Sequence, residues 1–449
     1  MKVGHRPRAA LPPGPRGGPF GPLGRLRRDP LRLFLELRDR YGDVAYFRVG
    51  PYPVYLLSHP DLVREVLVVR HQAFMKSQVL QEAKRVLGEG LLTSEGEFHR
   101  RQRRLLNPLF HHDRVAAYVP AMAEAGARLR ERWRDGQAVD VHREMGRLTL
   151  AVVARTLFGA DVEEVVAGRV AWALQAAFDV YERFLSPYAR YLERLPLPSN
   201  RRFEAARRAL DEVVYGLIRE RRAEGGVDLL SLLLAARDEE GGGGMPDRQV
   251  RDEAMTLFLA GHETISLALT WAWYLLSGNP EAEARLHEEV DRVLGDRLPE
   301  ASDLPALAYT RRVLAEAMRL YPPAWAMGRR VLEDMELGGY VVPRGTTVVM
   351  SQYLIHRDPR WWPDPERFDP DRWLQDAPDR PRFVYFPFGG GPRMCIGEDF
   401  AWTEGVVLLA VLARRWRLRL VPGHPVALAP RITLRPRYGM RMTLEARRG

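Results

Sequence analysis

Phe388-Gly389-Gly390-Gly391-Pro392-Arg393-Met394-Cys395-Ile396-Gly397 holds the only cysteine of the chain, just ahead of a stretch over 400–414 that reads as helix. Glycines allow backbone conformations and a close approach to a flat ligand that side chains block. A thiol at a helix N-terminus beside Arg393 is placed to ionise, because free N–H groups and a guanidinium both favour the thiolate. Taken alone, the same residue also reads as a small buried hydrophobe, the usual fate of a free cysteine. A single cysteine rules out an intrachain disulfide and a zinc site made from several thiolates, and it fits a reducing cytosol.

Outward from this loop, 449 residues allow about three ordinary domains or one large one. With 46% hydrophobic and 28% charged residues, whole-chain disorder is excluded. The net charge of +10 suits nucleic acid, an anionic membrane or an acidic protein partner, and does not choose among them. Lys2, Lys76 and Lys84 are the only lysines among 68 basic residues, a skew that fits codon composition or adaptation to heat. The N-terminus has no apolar stretch of signal-peptide length, and no window approaches 18 uninterrupted apolar residues. Neither secretion nor a membrane span is expected, and the expected location is cytoplasmic.

Residues 11–24 carry proline and glycine too densely for helix or strand, so 1–24 reads as an extended arm before a single domain over 25–449. Asp29 and Pro30 open a helix with the apolar stripe Leu33, Phe34, Leu37, stopped at Gly42. Val44–Val49 and Val54–Leu57 form a hairpin around Gly50 and Pro51, and Ser58 is expected to cap the next helix. From 113 to 294 helical periodicity dominates, broken at Pro187, at Pro196 and Pro198, and at a glycine run over 241–244. Residues 247–277 are the longest helix candidate, about 46 Å long and apolar on most sides, and so expected to run through the core. Strands return at 340–342 and 346–350. The hairpin near residue 50 shows no second core around it. The expected fold class is mainly α, a large α-rich body with a small β-rich side.

The spacing Phe388, Gly391, Arg393, Cys395, Gly397 resembles the haem-binding loop of cytochrome P-450 monooxygenases. Four further segments match the same family in order, so the resemblance covers nearly the whole chain from about residue 11 and implies the cytochrome P-450 fold. Its cofactor is haem b (iron protoporphyrin IX), and it makes Cys395 the metal ligand, with Phe388, Gly389, Arg393 and Gly397 in the cofactor loop. Ala260-Gly261-His262-Glu263-Thr264 corresponds to the segment crossing the haem: Gly261 leaves room for dioxygen, Thr264 supplies the hydroxyl and Glu263 the acid that relays protons. Glu316 and Arg319, at i and i+3 on one helix face, correspond to a structural pair joined by the Arg of Pro365-Glu366-Arg367-Phe368. In His99-Arg100-Arg101-Gln102-Arg103-Arg104 the family usually has Trp where His99 stands. Arg103 corresponds to a propionate ligand, as does Arg329 in the segment after Tyr321-Pro322-Pro323.

The resemblance implies a monooxygenase inserting one oxygen atom from O2 into an apolar substrate, a fatty acid, a terpenoid or carotenoid, or a steroid. Electrons come from a ferredoxin or flavodoxin-type donor with its NAD(P)H reductase. Arg100, Arg101 and Arg104 are expected to offer that acidic partner a positive surface. A peroxide-driven peroxygenase of the same fold is the alternative, and Glu263 with Thr264 argues against it. The spread of arginines without a recognised motif argues against nucleic acid. Phe178, Tyr181, Phe184, Leu185, Tyr188 and Tyr191 suit a sizeable apolar substrate, as equally they suit helix packing.

Overall fold

The computed structural model describes residues 11–15, 22–159, 195, 197–226, 228–237, 243–374 and 380–447. The aromatic stripe from Phe178 to Tyr191, Pro187 and Pro196 lie outside these residues. The chain packs as two compact units, one of Met1–Gln78, Trp325–Pro365 and Ala377–Met394, the other of Val79–Ala324, Glu366–Asp376 and Cys395–Gly449.

In the smaller unit, helix α1 (Pro30–Tyr41) starts as the sequence predicts: the Asp29 carboxylate accepts from the Arg32 N–H, and Pro30 sits where its missing N–H costs nothing. Leu33, Phe34 and Leu37 form its buried stripe. Strands β1 (Val44–Val49) and β2 (Tyr52–Leu57) pair antiparallel as the expected hairpin. The cap of the following helix differs from expectation. Pro60 is its first residue, which makes His59 the N-cap; the His59 Nδ1 accepts from the Asp61 N–H at 3.2 Å, while the Ser58 hydroxyl is buried one residue too early.

The expectation of no second core around the hairpin is also corrected. With β3 (Phe74–Lys76), β4 (Met327–Val331) and β5 (Thr347–Met350) it builds a five-stranded sheet in the order β1-β2-β5-β4-β3. The β2–β5 pair is parallel and aligns Val54 with Thr347. Tyr55, Leu57, Phe74 and Val348 pack on one apolar cluster, and Phe34, Phe47 and Leu56 on a second. Strands about 250 to 290 residues apart in sequence build this core, and local periodicity carries no sign of such a pairing. Part of the arm is docked here as well, since the Pro13 carbonyl accepts from the Tyr46 N–H of β1 at 2.9 Å.

The larger unit contains helices α2 (Gly96–Leu106), α3 (Val119–Arg132), α4 (Val141–Phe158), α5 (Pro198–Glu224), α6 (Asp247–Ser277), α7 (Pro280–Leu294), α8 (Ala308–Leu320) and α9 (Glu398–Ala413). Helix α6 has the predicted bounds and runs through the core, packed by α4, α5, α8 and α9; Trp271 and Trp273 on it are fully enclosed. A hairpin of β6 (Leu428–Pro430) and β7 (Leu434–Pro436) is fastened to α6 by the Trp271 indole N–H, which donates to the Leu434 carbonyl at 3.0 Å. No helix among the described residues is long and apolar enough to cross a membrane.

Candidate active site

The wall of α6 opens at its middle. Phe258, Leu259, Gly261 and Thr264 are half-buried and Ala260 is exposed, between stretches that are enclosed. Ala260 and Thr264 stand one turn apart on the same face. The Thr264 hydroxyl donates to the Ala260 carbonyl at 2.8 Å. A Cβ on Gly261 would stand 3.1 Å from Cγ2 of Val153 on α4. Close packing of α4 on α6 is therefore a reason for this glycine, beside the room for dioxygen that the resemblance implied.

Glu263 points elsewhere. Its Oε1 accepts from the Arg435 Nε at 2.6 Å and from the Thr433 hydroxyl at 3.0 Å. The pair is nearly enclosed, with side-chain exposures of 12% for Arg435 and 9% for Glu263. Burial works to raise this carboxyl, but Arg435, His262 and His142 outweigh it and hold the group below its ordinary range. Burial pushes the His262 and His142 imidazoles down. With both imidazoles shifted below their ordinary value, Arg435 is the charged partner of Glu263 at pH 7 among the described residues.

Cys395 lies three residues ahead of α9. The residue as a whole is exposed, yet so much protein surrounds its thiol that burial pushes it up to about 11. The Gly397 N–H and Arg103 pull the other way, and Glu398 adds to the rise. The sequence expectation of a thiol ionised by the helix end and Arg393 is thus corrected for the protein by itself: desolvation is the larger effect. A coordinated metal ion removes such a proton outright.

Helix α2 buries His99, Gln102, Leu105 and Leu106 and leaves Arg100 and Arg104 exposed, with Arg101 and Arg103 half-buried. Burial pulls the Arg103 guanidinium down while Cys395 acts in the opposite direction, which places Arg103 within electrostatic reach of the sulfur. Arg100 faces Glu97.

Glu316 and Arg319 form a fully buried pair, with Arg319 Nε and Nη2 each donating at 2.8 Å. The expected third member is corrected. Arg367 is exposed and contributes its backbone carbonyl to Arg319 at 3.1 Å. The guanidinium that reaches Glu316 is that of Arg372, at 3.2 Å, joined by the Trp373 indole N–H at 3.1 Å and the Asp369 N–H at 3.1 Å. The Asp369 carboxylate caps the turn over 370–373 and so directs Arg372 and Trp373 inward. The missed signal was legible: Pro370-Asp371-Arg372-Trp373 repeats the pattern of Pro365-Glu366-Arg367-Phe368 five residues on.

In the smaller unit, Phe388, Gly389 and Arg393 are half-buried. Gly391 has φ +68°, and a Cβ there would overlap the Leu67 carbonyl. At this position the close approach that the sequence suggested for a flat ligand is made to the protein's own backbone. Arg329, on β4, stands opposite Lys76 of β3 and Val348 of β5, and its Nη1 donates to the Gly328 carbonyl at 3.0 Å.

The larger unit on its own meets the needs of a thiolate-held haem. It offers one exposed cysteine, a guanidinium within electrostatic reach of it, and a long helix whose wall opens at Ala260 and Thr264. Soft thiolate donors suit haem iron, and guanidinium suits the propionates. Around Gly397 there is free space, the nearest side chain being Phe110 at 3.9 Å from a Cβ placed there.

A family model described as Cytochrome P450 matches residues 12–438. Cyclooctatin synthase of Streptomyces melanosporofaciens is 44% identical, over 91% of this chain and 90% of that protein. Cyclooctat-9-en-7-ol 5-monooxygenase of the same organism is 42% identical, over 89% and 87%. Pentalenene oxygenase of Streptomyces avermitilis is 39% identical, over 91% and 92%.

Proposed function

The chain belongs to the cytochrome P450 family, and on that premise we propose that Cys395 would hold the iron of its haem as a thiolate, with Thr264 and Glu263 handling protons. The protein is a haem-thiolate monooxygenase that uses haem b, O2 and electrons from a redox partner to put one oxygen atom into an apolar organic substrate. When bound, haem b supplies the oxygen activation. The chain's own residues hold and orient it. Arg103, Arg329 and Arg393 would pair with the propionates, His99 would add a hydrogen bond or a weak charge, and Phe388, Gly389 and Gly397 shape the loop. Glu316 and Arg319, with Arg372 in the place first given to Arg367, hold the chain that carries the cysteine. Residues 25–449 act as one haem-binding domain, preceded by the arm.

The substrate is a terpenoid. What supports this is the similarity to cyclooctat-9-en-7-ol 5-monooxygenase and pentalenene oxygenase. The electron donor is a ferredoxin or flavodoxin with its NAD(P)H reductase, and the location is the cytoplasm. The observation that carries the assignment of the ligand is the exposed Cys395 with Arg103 in electrostatic reach. Two measurements test it. The ferrous carbon monoxide spectrum diagnostic of thiolate ligation should vanish in Cys395→Ser, and its survival there removes the assignment. Cyclic diterpenes should shift the haem absorption band at lower concentration than fatty acids or steroids of similar size, and the reverse order removes the substrate class.

A further inference from the structure

Close to the cysteine loop the larger unit gathers three metal-ligating side chains that neither haem binding nor proton handling employs. Among the described residues, His111, His112 and Asp113 are the one group of three or more His, Cys, Asp or Glu whose donor atoms all lie within 4.8 Å of one another. His112 Nε2 stands 2.9 Å from Asp113 Oδ1, and His111 Nδ1 stands 3.4 Å from Asp113 Oδ2. The two imidazoles thus flank one carboxylate, their ring centroids 4.7 Å apart. Donor atoms bound at about 2.0–2.2 Å to a tetrahedral ion stand roughly 3.3–3.6 Å from one another. Small side-chain rotations are therefore enough to bring all three onto one ion.

The backbone that carries them is fixed. The His111 carbonyl accepts from the Arg114 N–H at 2.9 Å and from the Val115 N–H at 3.1 Å, which opens a helix over His112–Ala117, and Val115 anchors that helix in the interior. All three donors come from this one ordered turn. Their side chains are exposed, at 63%, 73% and 76%, so an ion can arrive from solvent without displacing packed groups. The amino end of a helix does not favour a cation; the two imidazoles and the carboxylate carry the site.

We propose that His111, His112 and Asp113 form a surface site for a divalent transition ion of the zinc class, separate from the haem and next to its cysteine loop. Two nitrogen donors select against Mg2+ and Ca2+, which take oxygen ligands. Three protein ligands leave at least one coordination position open to water or to a carboxylate of another protein. The placement follows from two contacts. Phe110, the residue before His111, supplies the side-chain atom nearest a Cβ placed on Gly397, at 3.9 Å. The helix over His112–Ala117 packs on α9, which begins three residues after Cys395.

Calorimetric titration of the tag-free holoenzyme with Zn2+ tests the site. One ion per chain should bind with micromolar affinity, leave the haem absorption spectrum unchanged, and not be displaced by millimolar Mg2+. His111→Asn, His112→Asn and Asp113→Ala should each weaken binding at least about tenfold, the loss that follows even from removing an outer partner of a metal ligand. Because these side chains are exposed, the variants should keep the haem content and the ferrous carbon monoxide spectrum of the wild type; should one of them fail to load haem, the other two carry the test. Zinc that binds the variants as tightly as the wild type lies elsewhere and overturns the proposal. Binding weaker than about 100 micromolar in the wild type overturns it as well, leaving the imidazoles as hydrogen-bond partners of Asp113 only.

Discussion

Two buried side chains titrate against the rest of the molecule in opposite directions. Glu404, inside α9, is fully enclosed, neither of its oxygens has a hydrogen-bond partner among the described residues, and burial raises its carboxyl well above the ordinary value. Such a group keeps its proton in the fold and loses it on unfolding. Its contribution is complete below the unfolded pKa and declines as pH rises above it, by at most about 1.4 kcal/mol per pH unit. His287 on α7 is 3% exposed, and burial, with Arg447 and Arg417, pushes its imidazole down to about 3. Here the unfolded chain binds the proton more readily, so stability is complete above the unfolded value of 6.5 and declines as pH falls toward 3. Between pH 5 and 6.5 the two slopes offset each other. Glu404→Leu should therefore flatten the decline above the unfolded carboxyl value, and His287→Phe the decline below 6.5. Urea denaturation at several pH values checks both, and parallel stability curves for wild type and variants would contradict the burial argument. Neither residue was singled out by sequence, because a lone Glu or His in an amphipathic pattern carries no sign of what surrounds it.

At the level of elements, the segment 366–373 shows how a motif can be read in the wrong register. Both Pro-x-Arg-aromatic patterns satisfy the spacing rule, and the cap at Asp369 decides which arginine turns inward. Removing one partner of a buried ionic cluster is strongly destabilising, whereas an exposed arginine away from such a feature contributes within about 0.5 kcal/mol. Arg372→Leu should lower stability by about 2–4 kcal/mol and reduce retained haem, while Arg367→Ala should differ little from wild type. Thermal melts of the two holoproteins check this, and a larger loss in Arg367→Ala would restore the first register. Helix α6 was legible to its end residues because its polar start and Gly278 stop are local signals. The two bonds of its Glu263 to β6–β7 were not, because Thr433 and Arg435 lie some 170 residues from Glu263.

For the whole molecule, the net charge of +10 gains meaning where it is exposed. Arg100 and Arg104 project from the helix that also carries Arg103, within electrostatic reach of Cys395. On the proposal that an acidic electron donor docks at this surface, the rate of haem reduction should fall as salt rises, and Arg104→Glu should slow it at low ionic strength with substrate affinity unchanged. Stopped-flow reduction at increasing salt checks this, and a rate indifferent to both changes removes the docking surface. By itself the sequence determined the family, the cysteine loop, the long helix with its Gly261-to-Thr264 interruption and the pairing of Glu316 with Arg319. Each depends on spacing within a few turns or on one compact motif. Only the tertiary structure decided which arginine completes that pair, how the hairpin acquires a core, why Gly391 must be glycine, and where Glu263 points. These are set by contacts between segments far apart in the chain, and by desolvation, which depends on everything packed around a group and on nothing that its neighbours in sequence reveal.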